Sequence, residues 1–596
     1  MADNLTKFSV ADLKKIRKEA LTAYNDANIR GLVYTSKWLS ELAMSLEAQF
    51  QKTKQELVDD DCCELSASSS LRREERTKHA VAMSYYHLKE YRRAEHLTLD
   101  AQSKPLQFLH YYCKYMAGES STAQKELFFE GKQSSEEDRE HLVELCSDLT
   151  DKQKEGELDA YLLYIYGIVL KKSGYMEEAQ SSFLKAIALE PCLWSAWYEL
   201  ASMIDDRNEL SKLQLPDHWM KNFFLAHTYL DLQLGDYSAS IYSHLLENGF
   251  GESSYVIGQL AVAYDNTKNV DMAKDCFVDL RKKDPYRLDN MDTYSNVLYI
   301  KEMREDLADL AAKCIAIDKY RAETCCVIGN YYSIREQHEH AARYFQRALK
   351  LDPKFISAWT LMGHEYMEMN NQSAAIQAYR QALEVDSRDF RAWYGLGQTH
   401  EILKMNHYSL YYYQQALKLR PNDSRMLMAV GFAYKLLNKP QEAKICFWKA
   451  HMIGDPEGIA LTHLAKLHEA LKEDENAAAA YTKFVLDSTQ SGVSNPKDMA
   501  HAYKFLANYN LRIKNHEEAY IAAQKCINYL ETREEGKALL QQITKTSGIP
   551  GIAADLHHFA SNETFSDDML GQTSATPGPH LSPKNLHFMT PDHCDQ

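Results

Sequence analysis

Four glycines, Gly329, Gly363, Gly397 and Gly431, stand 34 residues apart in a chain of 596 residues. Around them the same text recurs. An aromatic residue follows three positions on at Tyr332, Tyr366 and Tyr434, with His400 as the exception. Twelve positions after the glycine comes Ala341, Ala375 or Ala443, with Ser409 in the third copy. A ring follows at Phe345, Tyr379, Tyr413 and Phe447, then Ala348, Ala382, Ala416 and Ala450. A fixed period of this length means stacked copies of one supersecondary unit, each unable to bury its apolar face alone. The small residues let two antiparallel helices approach, and the rings fill the space between them. Pro353 and Pro421 close their units because proline cannot continue a helix.

This register resembles the tetratricopeptide repeat, with Trp359 and Trp393 at that family's tryptophan position. The fold expected is all-α: a tetratricopeptide-repeat superhelix, or α-solenoid, with a disordered C-terminal tail. A solenoid grows by adding units, so the length does not call for several separate cores. Units beginning at Ser254, Leu288, Ala322, Ile356, Phe390, Ser424 and Gly458 follow one another without a break in the period.

Before them the pattern is weaker. The stretch GLVYTSKWLSELAMSLEAQF puts Leu32, Leu39, Leu42, Ala43 and Leu46 on one helical stripe after a break at Gly31, so residues 1–57 read as a helical cap on the first repeat. Residues 58–253 read as degenerate repeats with insertions. They include an acidic, serine-rich loop up to about Thr77 and a polar insertion near 119–156 whose SSEEDRE run is a solvated face. The superhelix itself is expected over 254–543, sealed by TREEGKALLQQI after an interruption near 487–497. Residues 544–596 turn to Gly, Pro, Ser, Thr and His without helical period, the composition of a disordered tail. Thr576, Ser582 and Thr590 each precede a proline there and are candidate phosphorylation sites.

The charge excludes some partners. A formal net charge of −16 disfavours a nucleic-acid backbone, which needs a basic stripe. No run of about eighteen apolar residues occurs, so no membrane partner is expected, and the start has no apolar core after a basic end to act as a secretory signal. The twelve cysteines include the adjacent pairs Cys62–Cys63 and Cys325–Cys326 but no C-x-x-C spacing, and read as reduced core thiols of a cytosolic or nuclear protein.

No catalytic group, metal or cofactor is expected. His-Glu occurs at 338, 364, 400, 468 and 516, but a zinc protease needs a second histidine four residues on, and those positions are Ala342, Glu368, Lys404, Lys472 and Tyr520. Phosphate-cradling loops and nucleophile elbows are absent from the sequence as well.

Binding is expected on the first helix of each repeat, which lines the concave face of such a solenoid, at the positions one turn apart that point inward together. Helical phase selects Asp289, Asp292, Asn296 and Tyr299, then Glu323 and Asn330, then His364, then Tyr394, Gln398 and Glu401. The earlier members are acidic or amides, suited to an arginine or lysine side chain that a carboxylate can hold by charge-assisted hydrogen bonds. The asparagines resemble those with which chaperone-docking repeats hold a peptide terminus, but those clamps need cations where Asp292 and Glu323 stand.

The segments KDPYRLDNMDTYSNVLY, DKYRAETCCVIGNYYSIREQHEHAARYFQRALKLDP, AWTLMGHEYMEMNNQSAAIQAYRQALEVD and TREEGKALL closely resemble the family of the eighth subunit of the anaphase-promoting complex, or cyclosome. The resemblance is strong from about 216 to 543, thinner before, and slight after 545. It implies a non-catalytic scaffold in a ubiquitin ligase that drives mitotic exit, working in nucleus and cytoplasm. The implied partners are other subunits of the complex, a second copy bound through the early repeats, and a coactivator whose basic C-box motif enters the repeat groove. A co-chaperone or other peptide-binding adaptor is the alternative, and would need a cationic groove. A glycosyltransferase with a repeat arm would need a catalytic domain after the repeats.

Overall fold

A computed structural model describes residues 8–52, 75–128, 136–455, 458–491 and 495–547. The expected tail, with Thr576, Ser582 and Thr590, and the serine-rich loop up to residue 74 lie outside them. Among the described residues every regular element is a helix, as the 34-residue period requires. None of these helices is long and apolar enough to cross a membrane. The chain divides into two compact units, Met1–Lys319 and Tyr320–Gln596.

In the second unit the helices come as antiparallel pairs: Ala322–Ser333 with His338–Leu351, Ile356–Glu368 with Gln372–Val385, Phe390–Ile402 with Asn406–Leu419, and Ser424–Leu436 with Pro440–Ile453. Two further pairs, Ile459–Ala470 with Asp474–Ser491 and Pro496–Ile513 with His516–Cys526, lead to the closing helix Arg533–Ser547. The repeat glycines sit where the rings press. A Cβ added at Gly329, Gly363 or Gly397 would lie 2.4 Å from Phe345, Tyr379 or Tyr413 respectively, all three fully or almost fully buried. Burying one such ring contributes roughly 2 kcal/mol, and the glycine is what makes room for it. The tryptophans tie each first helix to the turn before it. The Trp359 indole N–H donates to the Pro353 carbonyl at 2.9 Å, and Trp393 and Trp197 repeat the bond to Ser387 and Pro191 at 2.8 Å.

Between the two helices of a pair the chain turns through a left-handed residue. Lys268, Glu302, Glu336, Asn370, Lys404, Asn438 and Lys472 all have φ between 54° and 64°, again 34 residues apart. This conformation lets the turn's N–H groups reach back to the carbonyls of the first helix, as Glu336 N–H does to Ser333 at 2.8 Å and Gln337 N–H to Tyr332 at 3.0 Å.

The first unit holds repeat pairs of the same kind and adds an N-terminal hairpin, Val10–Ile29 with Val33–Lys52, turning at Gly31 with φ 75°. The hairpin touches the first repeat, where Tyr86 donates to the Gly31 carbonyl at 3.1 Å, and it reaches far beyond it. Trp38 stacks on Trp194 with ring centres 4.6 Å apart and meets Phe223 and Tyr255 edge-on. Arg30 lies over the Tyr161 ring at 3.8 Å, and Lys52 pairs with Glu252 at 2.7 Å. These partners lie on or next to the first helices of successive pairs, so the hairpin runs along that face of the unit.

The polar insertion expected near 119–156 carries the end of helix Lys104–Phe128 and the helix Glu136–Glu155, which buries Leu145 and Leu149. These two leucines one turn apart anchor that helix, with Leu142 and Cys146 packed beside them, and its charged residues hide the period.

Candidate functional site

The ten residues selected by helical phase fall in both units. Asp289, Asp292, Asn296 and Tyr299 belong to the first unit; the other six belong to the second.

In the first unit they sit on or beside the helix Met291–Ile300, entered through left-handed Asn290. Asp289 is engaged within the chain. Lys37 of the N-terminal hairpin binds its carboxylate at 2.9 Å and Arg287 approaches at 3.3 Å. Arg287 also reaches Glu41 at 3.3 Å, which closes a four-charge network of two cations and two anions. Asp292 is buried at 8% exposure, and Asn296 and Tyr299 are half-buried.

The second unit places its six on three successive first helices. Glu323, one residue into Ala322–Ser333, receives two hydrogen bonds from the Arg321 guanidinium, at 2.7 and 3.2 Å. Asn330 is buried at 3% exposure. His364 Nδ1 and the Tyr379 hydroxyl share a hydrogen bond of 2.9 Å, and burial together with the nearby Arg391 charge pushes the His364 pKa down to about 4. Tyr394 is buried and Gln398 half-buried. Glu401 accepts the Tyr413 hydroxyl at 2.6 Å, and burial lifts its carboxyl above the usual range.

Within each unit these positions fall on or beside first helices, and the sequence did not show how many of their polar groups are already bound. Helical phase passed over Glu365, whose buried carboxylate accepts Ser333 at 2.7 Å and His338 at 2.8 Å, joining two consecutive repeats. It gives Arg391 as the counterpart of Glu323 in the third pair, and Arg425 takes the same position in the fourth. Arg391 comes no nearer than 3.8 Å to Asp389, and both arginines are exposed. Asp389 and Asp423, each two residues earlier, are buried and cap their helices by accepting the arginines' own backbone N–H at 3.0 Å.

Two other groupings lie outside that row. A cavity of about 380 Å³ is lined by Glu469, Asp474, His501, Lys504, Phe505, Asn508 and Arg512. Its charges pair across it, Arg512 with Asp474 at 2.8 Å and His501 with Glu469 at 3.0 Å. Among the described residues, Glu19, Cys192 and His218 bring three ligand-type atoms within 4.8 Å of one another. Here Trp219 donates to Glu19 at 3.0 Å, Met220 N–H donates to His218 Nδ1 at 3.4 Å, and burial pushes the Cys192 thiol up to about 12. The carboxylate is the hub of a hydrogen-bonded latch between the hairpin and the repeats, and the thiol stays protonated.

Comparison with known proteins gives this geometry a context. Residues 15–261 match the family model described as anaphase promoting complex subunit 8 / Cdc23, and 322–355, 363–402 and 390–423 match tetratricopeptide-repeat models. The anaphase-promoting complex subunit 8 of Arabidopsis thaliana is 41% identical over 484 residues, covering 80% of this chain and 83% of that protein. The cell division cycle protein 23 homolog of Mus musculus is 46% identical over 305 residues, half of this chain and 49% of the mouse protein. Against that relative the match therefore spans about half the length. A chain of the crystal structure of the APC/C hetero-tetramer Cut9-Hcn1 superposes with a TM-score of 0.51 over 87% of this chain and 98% of that one. At 17% identity that likeness speaks for the fold alone.

Proposed function

The chain belongs to the anaphase-promoting complex subunit 8 / Cdc23 family, and from that premise we propose that it is a non-catalytic scaffold subunit of that ubiquitin ligase. In this reading it binds neighbouring subunits along its repeats, pairs with a second copy through its early repeats, and works in nucleus and cytoplasm. It takes no nucleic acid or membrane as partner. Its second unit receives a basic coactivator motif on the face formed by Glu323, Asn330, His364, Tyr394, Gln398 and Glu401.

The observation that carries the basic-motif reading is the pair at Glu323. This carboxylate already holds the Arg321 guanidinium through two hydrogen bonds, at 2.7 and 3.2 Å, so the position is built to receive a planar cation. An incoming arginine would exchange with Arg321, whose side chain is 40% exposed and can swing into water. Such an exchange suits a coactivator that comes and goes, because the carboxylate is never left without a partner.

The test is fluorescence polarisation of a labelled C-box peptide against wild type and Glu323→Lys. Replacing the acceptor by a like charge should weaken binding at least tenfold with an unchanged circular-dichroism melt. Unaltered affinity would sink the assignment of Glu323. Asp292→Lys, measured separately because it lies in the other unit, asks the same of the first row.

A further inference from the structure

Along the second unit's first helices one position changes sign. The residue following the helix start reads Glu323, Ser357, Arg391 and Arg425, each 34 residues after the last. Its acidic member is bound by Arg321, whereas the aspartates beside the two later arginines are turned inward to cap helices. The Arg391 side chain remains 44% exposed, with the Asp389 carboxylate 3.8 Å away, and Arg425 is exposed too. In a chain with a net charge of −16, two adjacent repeats present cations outward at one register position.

Their neighbours fit the same use. Arg391 stands close enough to His364 to help keep that ring neutral, and Arg425 acts in the same way on Tyr394, lowering its pKa against the strong upward push of burial. Gln398, on the same first helix as Arg391, supplies a half-buried amide. Fork-shaped guanidinium donors with neutral N–H groups beside them suit a carboxylate.

We propose that Arg391 and Arg425 form an anion subsite on the face of the second unit, which takes acidic side chains of a bound peptide. This rests on the reading of that face as a peptide groove and adds a ligand class opposite in charge to the basic motif. Arg391 and Arg425 stand on the first helices of successive pairs, so an extended peptide that carries several carboxylates along its length can meet both.

The test uses the full chain and fluorescence anisotropy at low salt with a fluorescein-labelled Glu-Gly-Ser-Glu-Gly-Ser-Glu peptide, its glutamine counterpart, its phosphoserine counterpart and an arginine counterpart. The glutamate peptide should bind and the glutamine peptide should not. Arg391→Glu and Arg425→Glu should each weaken the glutamate peptide roughly tenfold. Arg343→Glu, on an outer helix with its side chain 69% exposed, should leave binding as in wild type. Equal binding of glutamate and glutamine peptides, or insensitivity to both groove variants with unchanged melts, would overturn the subsite. Binding of the phosphoserine peptide alone would overturn its assignment to carboxylates. If the arginine peptide fails while the glutamate peptide binds, the basic-motif reading falls and the anion subsite stands.

Discussion

Gly397 has no side chain because Tyr413 fills the space one would need. Alanine there should raise helix propensity by about 1 kcal/mol, yet its Cβ would sit 2.4 Å from the buried ring, which has no free volume to retreat into. Overpacking of this kind costs roughly 1–3 kcal/mol, so Gly397→Ala is expected to lower stability in urea unfolding, and a gain in stability would show that the ring can yield. This pair of residues was readable from the sequence because glycine and ring keep the same spacing in every copy. The charged pairs were not. Lys37 meets Asp289 from 252 residues away, and Arg321 meets Glu323 from just outside the repeat register, so no periodic argument could pair them. Helical phase placed Glu323 and Arg391 on the same face without showing that the first is already neutralised and the second is nearly open.

Whole elements were recovered where the period is strict and lost where it fades. The helix pairs from Ser254 onward follow the repeat, whereas Glu136–Glu155 was hidden by its polar composition. The turns within pairs gave no signal either, since the left-handed position is filled by Lys, Glu or Asn and never by glycine in the regular stretch from Lys268 to Lys472. Between elements, one bond is open to titration. His338 donates to the buried Glu365 carboxylate, which raises its pKa above the ordinary 6.5. A raised folded-state pKa means that the contribution is complete below the unfolded value and is lost as pH rises through the folded one. Wild type should therefore lose more stability than His338→Gln as pH rises from 6 to 9 in thermal or chemical unfolding. Identical pH dependence in the two proteins would show that this bond does not couple the repeats.

At the scale of the whole molecule, repetition and recognition use different residues. Glycines, alanines and rings build the surface in both units, and the positions that escape the repeat give it charge. In the first unit the hairpin engages part of that charge through Lys37 and Asp289. In the second, Glu323 is held by its own arginine, while Arg391 and Arg425 stay exposed. On the proposed reading such a chain acts by what it holds, as one subunit of a larger assembly. The most direct measurement is affinity purification of the tagged full chain from its own cells, with quantitative mass spectrometry of what comes with it. The account predicts the other subunits of the anaphase-promoting complex in near-stoichiometric amounts. Recovery of the chain alone, or with a chaperone as its main companion, would contradict it.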